Sequence, residues 1–88
     1  ISRMDPTIRS LQERCREIAQ DSYEYLSRKM DLSDREKRLL QKVLNASLQR
    51  LIKEPVQQLK HLENQKEQDA YRKIVHQLFQ FEAEEKNV

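Results

Sequence analysis

The sequence predicts an all-α fold: a helical bundle of three to four helices with a long first helix, and a dimeric bundle as its assembled form. Three observations carry this. The 88 residues contain no glycine, where average usage of about 7% would give roughly six. Charged residues make up 36% and the apolar set another 36%, with ten glutamines among the rest; these are the residues of helices with solvated faces. Apolar positions recur at steps of three and four in successive stretches, and no window sustains the period-two alternation of a half-buried strand.

The first helix reads from Pro6 to about Met30. Asp5 is suited to the N-cap and Pro6 to the first helical position. Ile8, Leu11, Cys15, Ile18, Ser22, Tyr25 and Leu26 then form one stripe. Asp31-Leu32-Ser33 breaks it. Ser33-Asp34-Arg35-Glu36 has the form of a capping box, in which the Ser hydroxyl and the Glu carboxylate each accept an orphan N–H. The second stripe is wider: Leu39, Leu40, Val43, Leu44, Ser47, Leu48, Leu51 and Ile52 cover two adjoining faces. A helix with two apolar faces has neighbours on both sides.

Glu54-Pro55 interrupts that pattern. Proline lacks the N–H and disfavours helix at the residue before it. The expectation is a break or sharp kink, with Pro55 opening a short third helix that carries Val56, Leu59 and Leu62. Asn64-Gln65-Lys66-Glu67 is a weaker capping-box candidate. A last helix carries Ala70, Tyr71, Ile74, Val75, Leu78 and Phe79, with Phe81 just past it. Residues 1–81 read as one helical dimerisation domain, and Glu82 to Val88 as a polar, frayed tail.

The totals exclude several function classes. Without glycine there is no P-loop and no G-x-G-x-x-G dinucleotide loop within the chain, and no Asn-Gly or Asp-Gly hairpin. Seventeen basic and fifteen acidic residues leave a net charge of +2, too balanced overall to argue for nucleic acid or an anionic membrane. The mean hydropathy is −1.01, and no apolar run approaches the roughly 18 residues of a membrane span. One cysteine forms no internal disulfide and allows a reducing, cytoplasmic setting. The chain begins at Ile1 rather than Met, as a piece cut from a longer protein would.

The candidates for chemistry all have plainer readings. Cys15 is in register with Ile8, Leu11 and Ile18, so it reads as a small core residue rather than a nucleophile. His61 and His76 lack partners at ligand spacing, which argues against a metal. Glu13, Glu17 and Glu24 have Arg9, Arg14 and Arg28 within three or four residues, the pattern of helix-surface pairing. Arg3, Arg9, Arg14 and Arg16 are interleaved with acids, which weakens them as a nucleic-acid patch. The sequence therefore points to no catalytic residue, no cofactor-binding residue and no metal ligand in this chain.

Assembly is the stronger signal. A helix from Pro6 to Met30 is about 37 Å long, whereas a compact chain of this size is about 30 Å across. The first helix therefore overhangs its own globule, and its stripe is partly bare in a monomer. Exposed apolar stripes of that kind mark an interface. The interface candidates are Leu40, Val43, Leu44, Leu48, Leu51 and Ile52, with Ile18 and Tyr25.

Three segments resemble a known family. Pro6-Thr7-Ile8-Arg9-Ser10-Leu11-Gln12 resembles the P-x-I-x-x-L-R opening of the C-terminal domain of glutamyl-tRNA reductases. Gln49-Arg50-Leu51-Ile52-Lys53-Glu54-Pro55-Val56, with Leu59, resembles that family's N-K-L-L-H-x-P-x-x-x-L segment. Leu78-Phe79-Gln80-Phe81-Glu82 resembles its L-F-G-L-E close. Order and spacing agree across nearly the whole chain. Lys53 stands where the family usually has His, and Gln80 where it usually has Gly.

The resemblance implies a non-catalytic helical domain that forms a homodimer. The parent cytoplasmic enzyme would use NADPH to reduce glutamate carried on its tRNA to glutamate-1-semialdehyde, at the start of tetrapyrrole (porphyrin) synthesis. The catalytic Cys and the NADPH site would lie upstream of Ile1, and Cys15 does not match the catalytic motif. Two alternatives remain: a helical adaptor that binds a different protein through the same apolar face, and a helical module that contacts tRNA directly.

Overall fold

Three helices organise the described residues, 4–81, of the computed structural model: α1 (Asp5–Lys29), α2 (Asp34–Lys60) and α3 (Gln65–Phe79). The readings made for Arg3 and for the tail from Glu82 to Val88 lie outside these residues. The described residues divide into two units, residues 11–54 and residues 4–10 with 55–81, so α1 and α2 each contribute to both.

The unit of residues 11–54 is a helical hairpin. A four-residue connection, Met30–Ser33, joins α1 to α2, a length that makes the helices antiparallel neighbours. Cys15 Sγ lies 3.8 Å from the Leu48 carbonyl oxygen across the pair. Leu11, Cys15, Ala19 and Ile52 are buried, and Leu40, Leu44 and Leu48 are half-buried. The other unit buries Met4, Thr7 and Ile8 from the start of α1 and Val56 and Leu59 from the end of α2. It also contains α3, which has no fully buried residue.

The helix ends show how the chain turns without glycine. At α2 the capping box is reciprocal: the Ser33 backbone N–H donates to Glu36 Oε1 at 2.8 Å, and the Glu36 N–H donates to Ser33 Oγ at 3.2 Å. At α3, Asn64 Oδ1 accepts from the N–H groups of Lys66 and Glu67 at 2.7 and 3.2 Å. At α1 the start falls one residue earlier than the sequence suggests. The Met4 carbonyl accepts from the Ile8 N–H at 2.8 Å, so Met4 holds the cap position and Asp5 is the first helical residue. The Asp5 carboxylate still lies in the first turn, where negative charge suits the helix dipole.

The expected break at Pro55 does not occur. α2 continues through it to Lys60, and the short separate helix is the end of α2. Proline in a helix interior costs about 3 kcal/mol, through the missing hydrogen bond and the clash with the carbonyl four residues back. That carbonyl belongs to Leu51, which is 71% exposed, and Pro55 is exposed as well; water can satisfy the freed oxygen. Continuing the helix keeps Val56 and Leu59 in phase for burial, at 7% and 4% exposure. Full burial of two such side chains is worth about 1.5–3 kcal/mol each, which offsets the proline.

α3 ends on the residue where the resembled family has glycine. Gln80 is left-handed at φ 57°, ψ 45°, the only non-glycine residue with positive φ among those described. Its N–H and that of Phe81 both reach the His76 carbonyl, the pattern of a Schellman closure. The Phe81 ring packs edge-on to His76 and stacks on Phe79, each at 5.6 Å between centroids.

Candidate functional site

The sequence-predicted interface residues divide by the face of the helix they occupy. In α2, Leu40, Leu44 and Leu48 are half-buried and Ile52 is buried at 5% exposure. These four line the side turned toward the protomer's own packing. Val43 and Leu51 are 50% and 71% exposed, and Leu39, one turn before Val43, is 62% exposed. Ser47 is exposed between them. Positions 39, 43, 47 and 51 recur every four residues and form a second, outward stripe. On α1, Ile18 and Tyr25 are 45% and 53% exposed, seven residues apart and therefore on one side of the helix. The Lys29 ammonium lies 5.7 Å from the centre of the Tyr25 ring.

The same unit has an open groove of about 450 Å³ lined by Asp21, Ser22, Tyr25 and Leu26 of α1 and Leu44 of α2. Its lining is largely apolar. In the other unit, Tyr71, Ile74 and Leu78 stand exposed at steps of three and four along α3. Choosing Leu40, Leu44, Leu48 and Ile52 while passing over Leu39 and α3 follows from the width of the stripe: inner and outer positions are equally apolar in sequence. Positions 40, 44, 48 and 52 share the four-residue repeat of 39, 43, 47 and 51, so only the packing of α2 against α1 separates them.

The catalytic candidates sit in structural settings. Cys15 is buried, and burial pushes its thiol above the usual range, with Arg16 opposing this more weakly. A nucleophilic thiol requires the reverse shift. His61 is exposed and His76 is half-buried. Among the described residues no group of three or more His, Cys, Asp or Glu could hold a metal ion. Glu13 pairs with Arg16 at 2.6 Å and Glu17 with Arg14 at 3.9 Å, while Glu24 accepts from Gln20 at 3.0 Å. No helix among these residues is long and apolar enough to cross a membrane.

The family model for the glutamyl-tRNAGlu reductase dimerisation domain matches residues 2–81. The chain belongs to this family. It is 39% identical over 79 residues to the glutamyl-tRNA reductase of Clostridium novyi (strain NT), and 34% identical over 80 residues to that of Staphylococcus carnosus (strain TM300). Each alignment covers 90% of the chain but only 19% and 18% of the relative. The chain thus spans about a fifth of the length of the curated reductases it matches. No solved structure matches.

The dimerisation-domain assignment gives the three resembling segments physical roles. Ile8 and Leu11 of the opening segment are buried, as are Ile52, Val56 and Leu59 around Pro55. Lys53, in place of the usual His, is exposed and so disturbs no packing. Gln80 adopts the left-handed conformation that a glycine takes without steric cost.

Proposed function

We propose that residues 1–81 act by joining two copies of a glutamyl-tRNA reductase through the outer faces of α1 and α2. The observation that carries this reading is the outward stripe of Leu39, Val43 and Leu51, 50–71% exposed in the protomer. Ile18 and Tyr25 extend it on α1. Leu40, Leu44 and Leu48 contribute their open edges, and Ile52 supports the seam from within. Tyr71, Ile74 and Leu78 offer a further face on α3. Full burial of one such aliphatic side chain is worth about 1.5–3 kcal/mol, so burying several together supplies the driving force against the entropic cost of association. A two-fold pair, with the same patch on both copies, is the commonest arrangement.

The fragment's role is then geometric and non-catalytic: a joint helical bundle fixes the spacing of two catalytic units. The parent enzyme reduces tRNA-bound glutamate to glutamate-1-semialdehyde in tetrapyrrole synthesis, in the cytoplasm, where the lone thiol of Cys15 stays reduced. Its NADPH is assigned elsewhere in this reading. The G-x-G-x-x-G loop brings backbone close to a dinucleotide pyrophosphate at its glycines, and the chain has no glycine; on this reading the cofactor belongs to the rest of a longer enzyme.

Sedimentation velocity at micromolar concentration tests the assembly. The expected result is a helical species of twice the chain mass. A folded monomer at every concentration would overturn the reading, and a monomer that gains order only with another protein would favour the adaptor alternative.

A further inference from the structure

The outer side of α2 carries a second feature, which meets its apolar stripe at Leu39. Arg35, Arg38, Lys42, Arg50 and Lys53 are all exposed. At 3.6 residues per turn they fall within an arc of about 120° and extend along about 27 Å of helix. The acids of α2, Asp34, Glu36 and Glu54, lie outside that arc, and the Glu36 carboxylate is held by the Ser33 N–H. Among the described residues none of the five has a carboxylate within 4.0 Å, whereas Arg14 and Arg16 of α1 and Arg72 of α3 are each paired. Five unneutralised cations in a line form a local positive field that the net charge of +2 conceals.

We propose that this stripe binds the phosphodiester backbone of a structured RNA. The inference rests on the reading above that the parent enzyme takes its substrate on a tRNA. A nucleic-acid strand carries one phosphate charge per nucleotide, so a row of side chains about 27 Å long runs past several phosphates at once. Three of the five are arginines, whose guanidinium fork matches paired phosphate oxygens. The contact is independent of base identity: it positions the RNA and does not select it.

The test titrates unfractionated tRNA into the 88-residue chain at several salt concentrations, with sedimentation of the same samples. The variant is Arg38→Gln/Lys42→Gln/Arg50→Gln. The control, Arg9→Gln/Arg14→Gln/Arg16→Gln, removes the same charge from α1. The α2 variant is expected to lose tenfold or more in affinity and to reduce the slope of log affinity against log salt by about two to three. The control is expected to stay within about twofold. No tRNA binding at low salt, equal losses in both variants, or tighter binding to phosphatidylglycerol vesicles or polyglutamate would each overturn the proposal. A monomeric chain that still binds tRNA through α2 would overturn the assembly reading and leave this one standing; a dimer indifferent to tRNA would do the reverse.

Discussion

The outer faces of α1 and α2 are built from similar residues and wired differently. On α1, Glu13 bonds Arg16, Arg14 lies by Glu17, and Gln20 bonds Glu24; its polar side is paired within the helix over residues 13–24. Among the described residues the α2 cations at 35, 38, 42, 50 and 53 have no such partners, and Leu39, Val43 and Leu51 are exposed on the same helix. A self-paired face is complete in water. An unpaired face next to exposed leucines is complete only against something else. In the assembly proposed above, α2 is therefore the main partner-facing helix, with Ile18 and Tyr25 of α1 at its edge.

Adjacent residues of α2 give the largest test of that contrast. Ile52→Ala is expected to cost about 2–5 kcal/mol of stability, read by urea unfolding, because Ile52 is buried in the protomer. Leu51→Ala should instead weaken association, leaving a monomeric form with nearly unchanged unfolding. Equal effects of the two on monomer unfolding would erase the distinction between inner and outer faces.

A change on neither face provides the reference. Gln80→Gly should stabilise the chain by about 1 kcal/mol, since a non-glycine residue in the left-handed region costs roughly 1–2 kcal/mol. The association constant should not move. Thermal unfolding of the variant at fixed concentration would read the gain, and a loss of stability would show that the Gln80 side chain contributes packing of its own.

The smallest effect is predicted on α1. Glu13→Gln should change stability by no more than about 0.5 kcal/mol, since its ion pair with Arg16 is solvent-exposed. A loss above 1 kcal/mol would mean that the α1 surface is more than a solvated face.

Local signals read directly from the sequence. Ser33 and Glu36 form the reciprocal cap that their spacing implies, and the three-and-four stepping of Ile8, Leu11 and Cys15 marks buried positions. Pro55 was not legible as helix interior, because the penalty on proline is local and the burial of Val56 and Leu59 that outweighs it is tertiary. Met4 gave no sign of a cap because its backbone carbonyl, not its side chain, starts the hydrogen-bond ladder. Leu51 and Ile52 are indistinguishable by hydropathy, and only the phase of α2 against α1 separates the face already filled from the face left open. The basic stripe was hidden by averaging: the whole-chain charge is small, while positions 35, 38, 42, 50 and 53 share one side.

The central claim is that the outward apolar stripe of α2 holds two copies together. Sedimentation equilibrium of the chain beside Val43→Glu/Leu51→Glu tests it most directly, with circular dichroism confirming that both are helical. Charges forced into an apolar seam without partners cost several kcal/mol, so the account predicts a dimer for the parent sequence and a helical monomer for the variant. A variant that remains dimeric with unchanged affinity would contradict it.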